Sequence, residues 1–216
     1  MHRVFTRLFT VLLILSVVAC ANVSPYDYTA LKAAKPRSIL IIPPINQTTE
    51  VLASDLFMSA MSQPLSERGY YVFPVAVVQR YFHENGLPGP EEMNSVELEK
   101  LKEQFGADAV LYTIIHDWGQ KYEVLSSTST VKADVNLIDS KNGALLWSGT
   151  AFHQQGSGNG GGGLAGALLG ALVTQLMSEA FDPMMNVSTF ATHRIVNDQH
   201  RGLLPGPYFP PENLKN

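Results

Sequence analysis

The sequence predicts an α/β protein: a helix-covered mixed sheet with an antiparallel C-terminal meander and an appended glycine-hinged helix. Three observations predict it. Between residues 38 and 115, unbroken branched apolar runs alternate with segments of helical period, the pattern of strands buried on both faces and joined by helical crossovers. From Tyr122 to Phe152 the apolar residues alternate with polar or small ones, the period of a sheet with one dry face. Finally, Gly156-Ser-Gly-Asn-Gly-Gly-Gly-Gly163 opens onto a stretch, Leu164 to Ala180, that is almost purely apolar and small until Gln175.

The elements follow in order. Ser38 to Pro43 (Ser-Ile-Leu-Ile-Ile-Pro) reads as a buried strand, ended by Pro43 and Pro44 because proline has no ladder donor. Val51, Leu52, Leu56, Met58, Ala60, Met61 and Leu65 recur at helical spacing, with Gly69 where the helix closes. Tyr70 to Phe73 is a short strand, and Val75 to Phe82 begins a second helix that Gly86-Leu-Pro-Gly-Pro90 breaks. Ser95, Leu98, Leu101 and Phe105 mark a third helix, capped by Asn94 or Ser95 and ended by Gly106. Ala109 to Ile115 is another buried strand. Tyr122 to Ser127, Thr130 to Ile138 and Leu145 to Phe152 complete the meander, with a turn at Asp139-Ser-Lys-Asn-Gly143. Pro205, Pro207, Pro210 and Pro211 predict an irregular or extended tail.

The first twenty residues predict where the protein goes. Arg3 and Arg7 precede a short apolar stretch from Leu8 to Val18, too short to span a bilayer, and Ala19 stands before Cys20. Cys20 is the only cysteine of the chain, so it has no intramolecular disulfide partner. Val17-Val18-Ala19-Cys20 resembles the bacterial lipobox, and that resemblance implies a diacylglyceryl thioether on Cys20, cleavage before it and N-acylation of the new terminus. The alternative is a cleaved export signal followed by an incidental thiol. With Ala21 and Asn22 next and no aspartate there, the expected location is the outer membrane, lipid-anchored and facing the periplasm. The organisation expected is a signal peptide over 1–19, a lipid-anchored tether over 20–37, an α/β domain over 38–155, a glycine linker over 156–163, and a helical segment with a Pro-rich tail over 164–216.

Charge narrows the partners. The formal net charge is −4, and loss of Arg3 and Arg7 with the signal takes it to −6. No basic run offers to neutralise phosphates, which argues against nucleic acid, and no polybasic stretch in the sequence assists binding to anionic lipid. Charged residues are only 16% of the chain, below the usual quarter, which predicts a surface partly covered by partners.

Few residues offer chemistry. Gly158, Gly160 and Gly163 match G-x-G-x-x-G, but no strand follows to complete a βαβ unit and the linker has no lysine for a phosphate loop. A hinge accounts for them, and no cofactor is implied. Gly162, Gly166 and Gly170 recur every fourth residue with Ala167 and Ala171 beside them, a spacing that lets helices approach closely. Three readings stay open: a helix packed on its own domain, one that docks on a second copy to give a homodimer, and a segment entering lipid or a pore wall. Asn46, His116 and Asp117 lie at strand ends of the α/β half, where a small ligand or cell-wall fragment could bind. The histidines His83, His116, His153, His193 and His200 are scattered without metal-ligand spacing, so no metal site and no catalytic residue is assigned.

Three stretches resemble a known group. Ile39-Leu-Ile-Ile-Pro-Pro-Ile-Asn-Gln-Thr48, Phe105-Gly-Ala-Asp-Ala-Val-Leu111 and Val135-Asn-Leu-Ile-Asp-Ser-Lys-Asn-Gly-Ala-Leu-Leu-Trp147 resemble the first strand, the Gly-Ala-Asp strand start and the L-I-D-x-x-x-G-x-x-x-W hairpin of periplasmic lipoproteins with a TolB N-terminal-like fold. That group includes the curli secretion lipoprotein CsgG and the penicillin-binding-protein activator LpoB. The whole chain resembles more closely a family of Gram-negative lipoproteins without an assigned role. The likeness covers residues 38 to 155 for the fold and nearly the full chain for the narrower family. It implies an adaptor, activator or secretion-complex subunit and carries no catalytic residues. The chain departs from CsgG in showing no long amphipathic hairpins for a barrel of its own. The function expected is that of a non-enzymatic membrane-anchored lipoprotein acting by contact with other envelope proteins, with a periplasmic ligand-binding protein as the alternative.

Overall fold

The computed structural model describes residues 25–123, 126–156 and 183–210. Its elements are α1 (Thr29–Ala34), β1 (Ser38–Ile41), β2 (Ile45–Asn46), α2 (Ala53–Glu67), β3 (Tyr71–Val72), α3 (Val75–Glu84), α4 (Pro90–Asn94), α5 (Leu98–Phe105), β4 (Ala109–Glu123), β5 (Ser126–Asp139), β6 (Leu145–Gly156) and α6 (Pro183–Val196). The strands form one mixed sheet in the order β3-β1-β4-β5-β6, with β2 also on β4. β1 runs parallel to β3 and β4, and β2 parallel to β4. β4-β5 and β5-β6 are antiparallel, as the change of hydrophobic period predicts.

Ile39, Leu40, Ile41 and Ile42 are all fully buried, because β1 lies between β3 and β4 and packs against α3. On one sheet face, Leu111, Thr113, Ile115, Val131, Ala133, Val135, Leu137 and Trp147 form a continuous dry surface. α6 covers it. Its buried residues Met184, Val187, Ser188, Ala191, Thr192 and Ile195 recur at helical spacing, and their small members let it lie against α2, where Thr192 Oγ1 donates to the Ala60 carbonyl at 3.2 Å. Elsewhere in the core Phe105 gathers Phe73, Tyr81 and Phe82, with ring centroids 4.7 to 6.0 Å apart.

The motif residues behave as their chemistry requires. Gly106 ends α5 at φ +69°, and Gly143 turns the β5-β6 connection at φ +73°. Asp108 Oδ2 accepts the Arg37 backbone N–H at 2.9 Å and holds β4 to the start of β1. Trp147 is fully buried and donates its indole N–H to the Arg201 carbonyl at 2.8 Å.

Several expectations are corrected. β4 does not end at Ile115: it runs to Glu123 as one strand, and its pairing with β5 absorbs an irregularity at His116 as a bulge. The β4-β5 hairpin is therefore long, where the sequence shows no long hairpin. α5 starts after Glu97 without a side-chain cap, while Asn94 ends the short α4 and donates its amide to the Pro43 carbonyl at 2.8 Å. Val51 and Leu52 precede α2 and are exposed. In place of a tether through residue 37, the chain packs on the body from Tyr26 onward: Leu31 of α1 is buried, the Tyr28 hydroxyl donates to the Gly202 carbonyl at 2.6 Å, and the Tyr26 hydroxyl accepts the Ser148 N–H at 2.8 Å. The Pro-rich tail is likewise a fixed strap as far as Phe209. Leu203 is fully buried, Arg68 Nε donates to its carbonyl at 2.7 Å, and the Tyr70 hydroxyl donates to the Leu204 carbonyl at 2.8 Å.

Candidate functional site

Two features of the β4-β5-β6 meander offer contact: a polar chain crossing its outer face and the outer edge of β6, which no strand among the described residues pairs with. Strand alternation puts His116 on the outer face after buried Ile115, and the bulge there turns Asp117 to the same face while Trp118 faces inward. His116 Nδ1 lies 2.9 Å from Gln47 Oε1, and its Nε2 lies 2.9 Å from Asp134 Oδ2. Thr150 Oγ1 donates to the other carboxylate oxygen at 2.7 Å. Gln47, His116, Asp134 and Thr150 thus join the loop after β2 to β4, β5 and β6 in one line. The Thr150 hydroxyl above all holds the Asp134 carboxyl below the ordinary carboxylate range; burial opposes it, and the smaller His116 contact adds to the lowering. The histidine meets the carboxylate and not the hydroxyl, so the line lacks the nucleophile-base contact of a hydrolytic triad.

The line ends at a groove of about 640 Å³ that wraps the β6 edge between Asp134, Ser148, Thr150 and Phe152 of the strands and Arg194 and Arg201 of the C-terminal segment. β6 is the outermost strand of the sheet on this side. The Ser148 N–H points outward to Tyr26, so by strand alternation the backbone groups of residues 150, 152 and 154 also face away from β5. Among the described residues, no strand pairs with them. Phe152 is 47% exposed on this edge, and Phe190 of α6, 60% exposed, sits 5.3 Å from the His153 ring.

The three residues read as a ligand site lie close together, Asn46 pairing with Ile115 next to His116 and Asp117, but their side chains take different partners. Asn46 spends its side chain on its own loop: Oδ1 accepts Thr48 N–H and Oγ1–H at 3.0 and 2.7 Å, and Nδ2 donates to the Glu50 carbonyl at 2.7 Å. Asp117 follows the bulge opposite Lys132, within the strand and not at its end. Only His116 belongs to the polar line. Gln47, Asp134 and Thr150 were invisible to motif reading because their spacing in sequence carries no signal; strand register alone brings them together. Cys20 and the helix residues Gly162, Gly166, Gly170, Ala167 and Ala171 lie outside the described residues. Among the described residues no helix is long and apolar enough to cross a membrane, and no group of three or more His, Cys, Asp or Glu side chains could hold a metal ion.

Comparison with known proteins agrees with the fold and the sequence motifs. Residues 26–208 match the family described as "Putative lipoprotein GNA1162-like". The chain is 41% identical over 205 residues to "Putative lipoprotein NMB1124/NMB1162" of Neisseria meningitidis serogroup B, covering 94% of this chain and 95% of that protein. The crystal structure of lipoprotein GNA1162 from Neisseria meningitidis is similar at 43% identity and a TM-score of 0.54, over 66% of this chain and 99% of that one. The LpoB C-terminal domain from Salmonella enterica is a distant neighbour, at 16% identity and a TM-score of 0.39, over 66% of this chain and 93% of that one. The match begins at Tyr26, the residue at which the chain joins the folded body, and ends at Tyr208 within the strap. The chain belongs to the GNA1162-like lipoprotein family.

Proposed function

We propose that this protein is anchored through acylated Cys20 in the outer membrane, faces the periplasm, and works without catalysis as an adaptor or component of an envelope transport, secretion or assembly complex. The observation that supports this reading best is the β6 edge beyond Ser148, which no strand among the described residues pairs with. Its outward N–H and C=O groups are a template for an added strand, and long uncovered edges are otherwise blunted by charge, proline or a covering element. Phe152 and Phe190 flank that template with apolar surface. A second copy of the chain is one partner of this chemistry, and a homodimer packed through Gly162, Gly166, Gly170, Ala167 and Ala171 belongs to the same reading. Anchoring concentrates the body near other envelope proteins, so modest contacts suffice.

The test is a photo-crosslinking residue placed at Gln154 or Phe190 of the full-length protein in intact cells, with exposed Val77 of α3 as the control. Adducts at the first two positions, lost when Phe152→Pro removes one outward donor without touching the β5 ladder, support the reading. Adducts of equal yield at Val77, or indifference to the proline, overturn it.

The alternative, a binding protein for a small ligand or cell-wall fragment, is favoured by the line from His116 through Asp134 to the groove. It requires a soluble glycopeptide fragment to perturb the His116 and Thr150 resonances and leave Val77 unmoved.

A further inference from the structure

A side chain, and not a strand, closes the start of the outer β6 edge. The Tyr26 hydroxyl accepts the Ser148 N–H at 2.8 Å and stands 3.4 Å from Ser148 Oγ. Tyr28 braces it: the two ring centroids are 4.7 Å apart, and the Tyr28 hydroxyl donates to the Gly202 carbonyl at 2.6 Å. That turn is itself tightly built, since a Cβ on Gly202 would stand 2.4 Å from the Asp198 carbonyl oxygen. The neighbouring Arg201 carbonyl accepts the Trp147 indole N–H at 2.8 Å. Residues 26–28 and 201–202 therefore hold β6 at Trp147 and Ser148, from its edge and from its dry face.

Beyond Ser148 the edge changes. The Ser148 N–H points away from β5, and by strand alternation so do the backbone groups of Thr150, Phe152 and Gln154. Among the described residues those three have no backbone partner on that side. β6 ends at Gly156. The window from Thr150 to Gln154 is four steps of about 3.3 Å, or about 13 Å. It suits an extended segment of about five residues that pairs at every second position. Sliding such a segment two residues toward the start of β6 would bring it onto Ser148, whose N–H is already taken and whose flank carries the Tyr26 ring. Sliding it two residues the other way leaves Thr150 unpaired, and a slip of one residue turns every side chain to the wrong face.

We infer that Tyr26 is the register stop of this edge: an extended polypeptide segment adds to β6 at Thr150, Phe152 and Gln154 and halts against the tyrosine ring. The inference rests on the strand-addition reading above and gives that ladder a fixed starting point. The stop acts on backbone, so the segment is selected by its form. It carries no proline at the positions facing β6, because proline has no N–H to give to the outward carbonyls. Freeing Tyr26 opens Ser148 and lengthens the pairing by one position.

The test uses the full-length protein in intact cells, with a photo-crosslinking residue at Gln154 or, separately, at Asn136, which lies opposite Ser148 on β5 and lines the groove beside Tyr26. In the wild type, adducts form at Gln154 and are scarce at Asn136. Tyr26→Ala is expected to raise the Asn136 yield about fivefold and to leave the Gln154 adducts in place, as loss of one hydrogen bond and its ring allows. Tyr26→Phe keeps the ring and removes the hydroxyl. In the purified protein it should speed amide exchange at Ser148 about fivefold and leave the Phe152 amide at its wild-type rate. Absence of Gln154 adducts in every variant overturns the strand-addition reading and the stop together. Gln154 adducts with an Asn136 yield that ignores Tyr26 overturn the stop alone. So does a Ser148 amide that exchanges equally fast with and without the hydroxyl, a measurement that does not need Tyr26→Ala to fold. Loss of the Gln154 adducts in Tyr26→Phe makes the tyrosine a contact for the partner and not a stop, and the proposal fails.

Discussion

Tyr70 joins the start of β3 to the C-terminal strap, and its removal gives a pH signature that can be worked out in advance. The ring is 5% exposed and its hydroxyl donates to the Leu204 carbonyl at 2.8 Å. Burial pushes the phenol up to about 12 from 10.0. A group whose folded value is raised contributes stability that is fully present below the unfolded value and lost as pH climbs toward the folded one. At neutral pH, Tyr70→Phe loses only the hydrogen bond, about 1 kcal/mol. Above pH 10.0 the unfolded wild-type chain ionises first, and the wild type gives up about 1.4 kcal/mol by pH 11 and about 2 kcal/mol by pH 12. The phenylalanine variant has no such loss, so the ranking of the two proteins inverts near about pH 11. Tyr28 and Tyr112, which burial also raises, titrate alike in both proteins and cancel in the difference. Urea midpoints measured from neutral pH upward read the inversion. A difference that stays constant with pH would show that the strap does not shut water away from Tyr70.

At Gly69, φ is +83° and a Cβ would stand 2.2 Å from the backbone nitrogen of Phe209, whereas at Gly106, φ is +69° and nothing lies within 4 Å. Gly106→Ala should therefore cost only left-handed strain, about 1–2 kcal/mol, and Gly69→Ala about 3–4 kcal/mol because the strap must also move. Equal denaturation midpoints for the two would refute the packing of the strap. In the acid range, the lowered carboxyl of Asp134 contributes stability that is present above the unfolded value of 3.8 and lost as pH falls through the folded one. The stability gap between wild type and Asp134→Asn should accordingly narrow as pH is lowered through that window. A gap that holds constant would remove the Thr150 and His116 contacts as the cause.

The buried strand at Ile39 to Ile42, the end of α5 at Gly106 and the turn at Gly143 were all legible, because each depends on a local requirement. Apolar runs must be dry, and positive φ suits glycine. The full length of β4 was not legible. Gly119, Gln120 and Lys121 look like a loop, yet ladder pairing with β5 carries the strand through them. Nor was the packing of residues 26–37 and 203–209 legible: proline and polar content suggest freedom, while Tyr26, Tyr28, Tyr70 and Arg68 each find a partner far away in sequence. The same holds for Gln47, His116, Asp134 and Thr150, which only the register of three strands aligns.

By itself the chain's order of residues determined the mixed α/β layout, the likeness to the family and the candidate anchor at Cys20, since periodicity, turn chemistry and a leader are properties of neighbours along the backbone. Tertiary structure alone decided that the chain packs on the body from Tyr26 onward, that Gln47, His116, Asp134 and Thr150 form one line, and that, among the described residues, no strand pairs with the outer edge of β6. Those depend on which distant segments touch, and contact at long range is settled by packing and register, which no local pattern encodes.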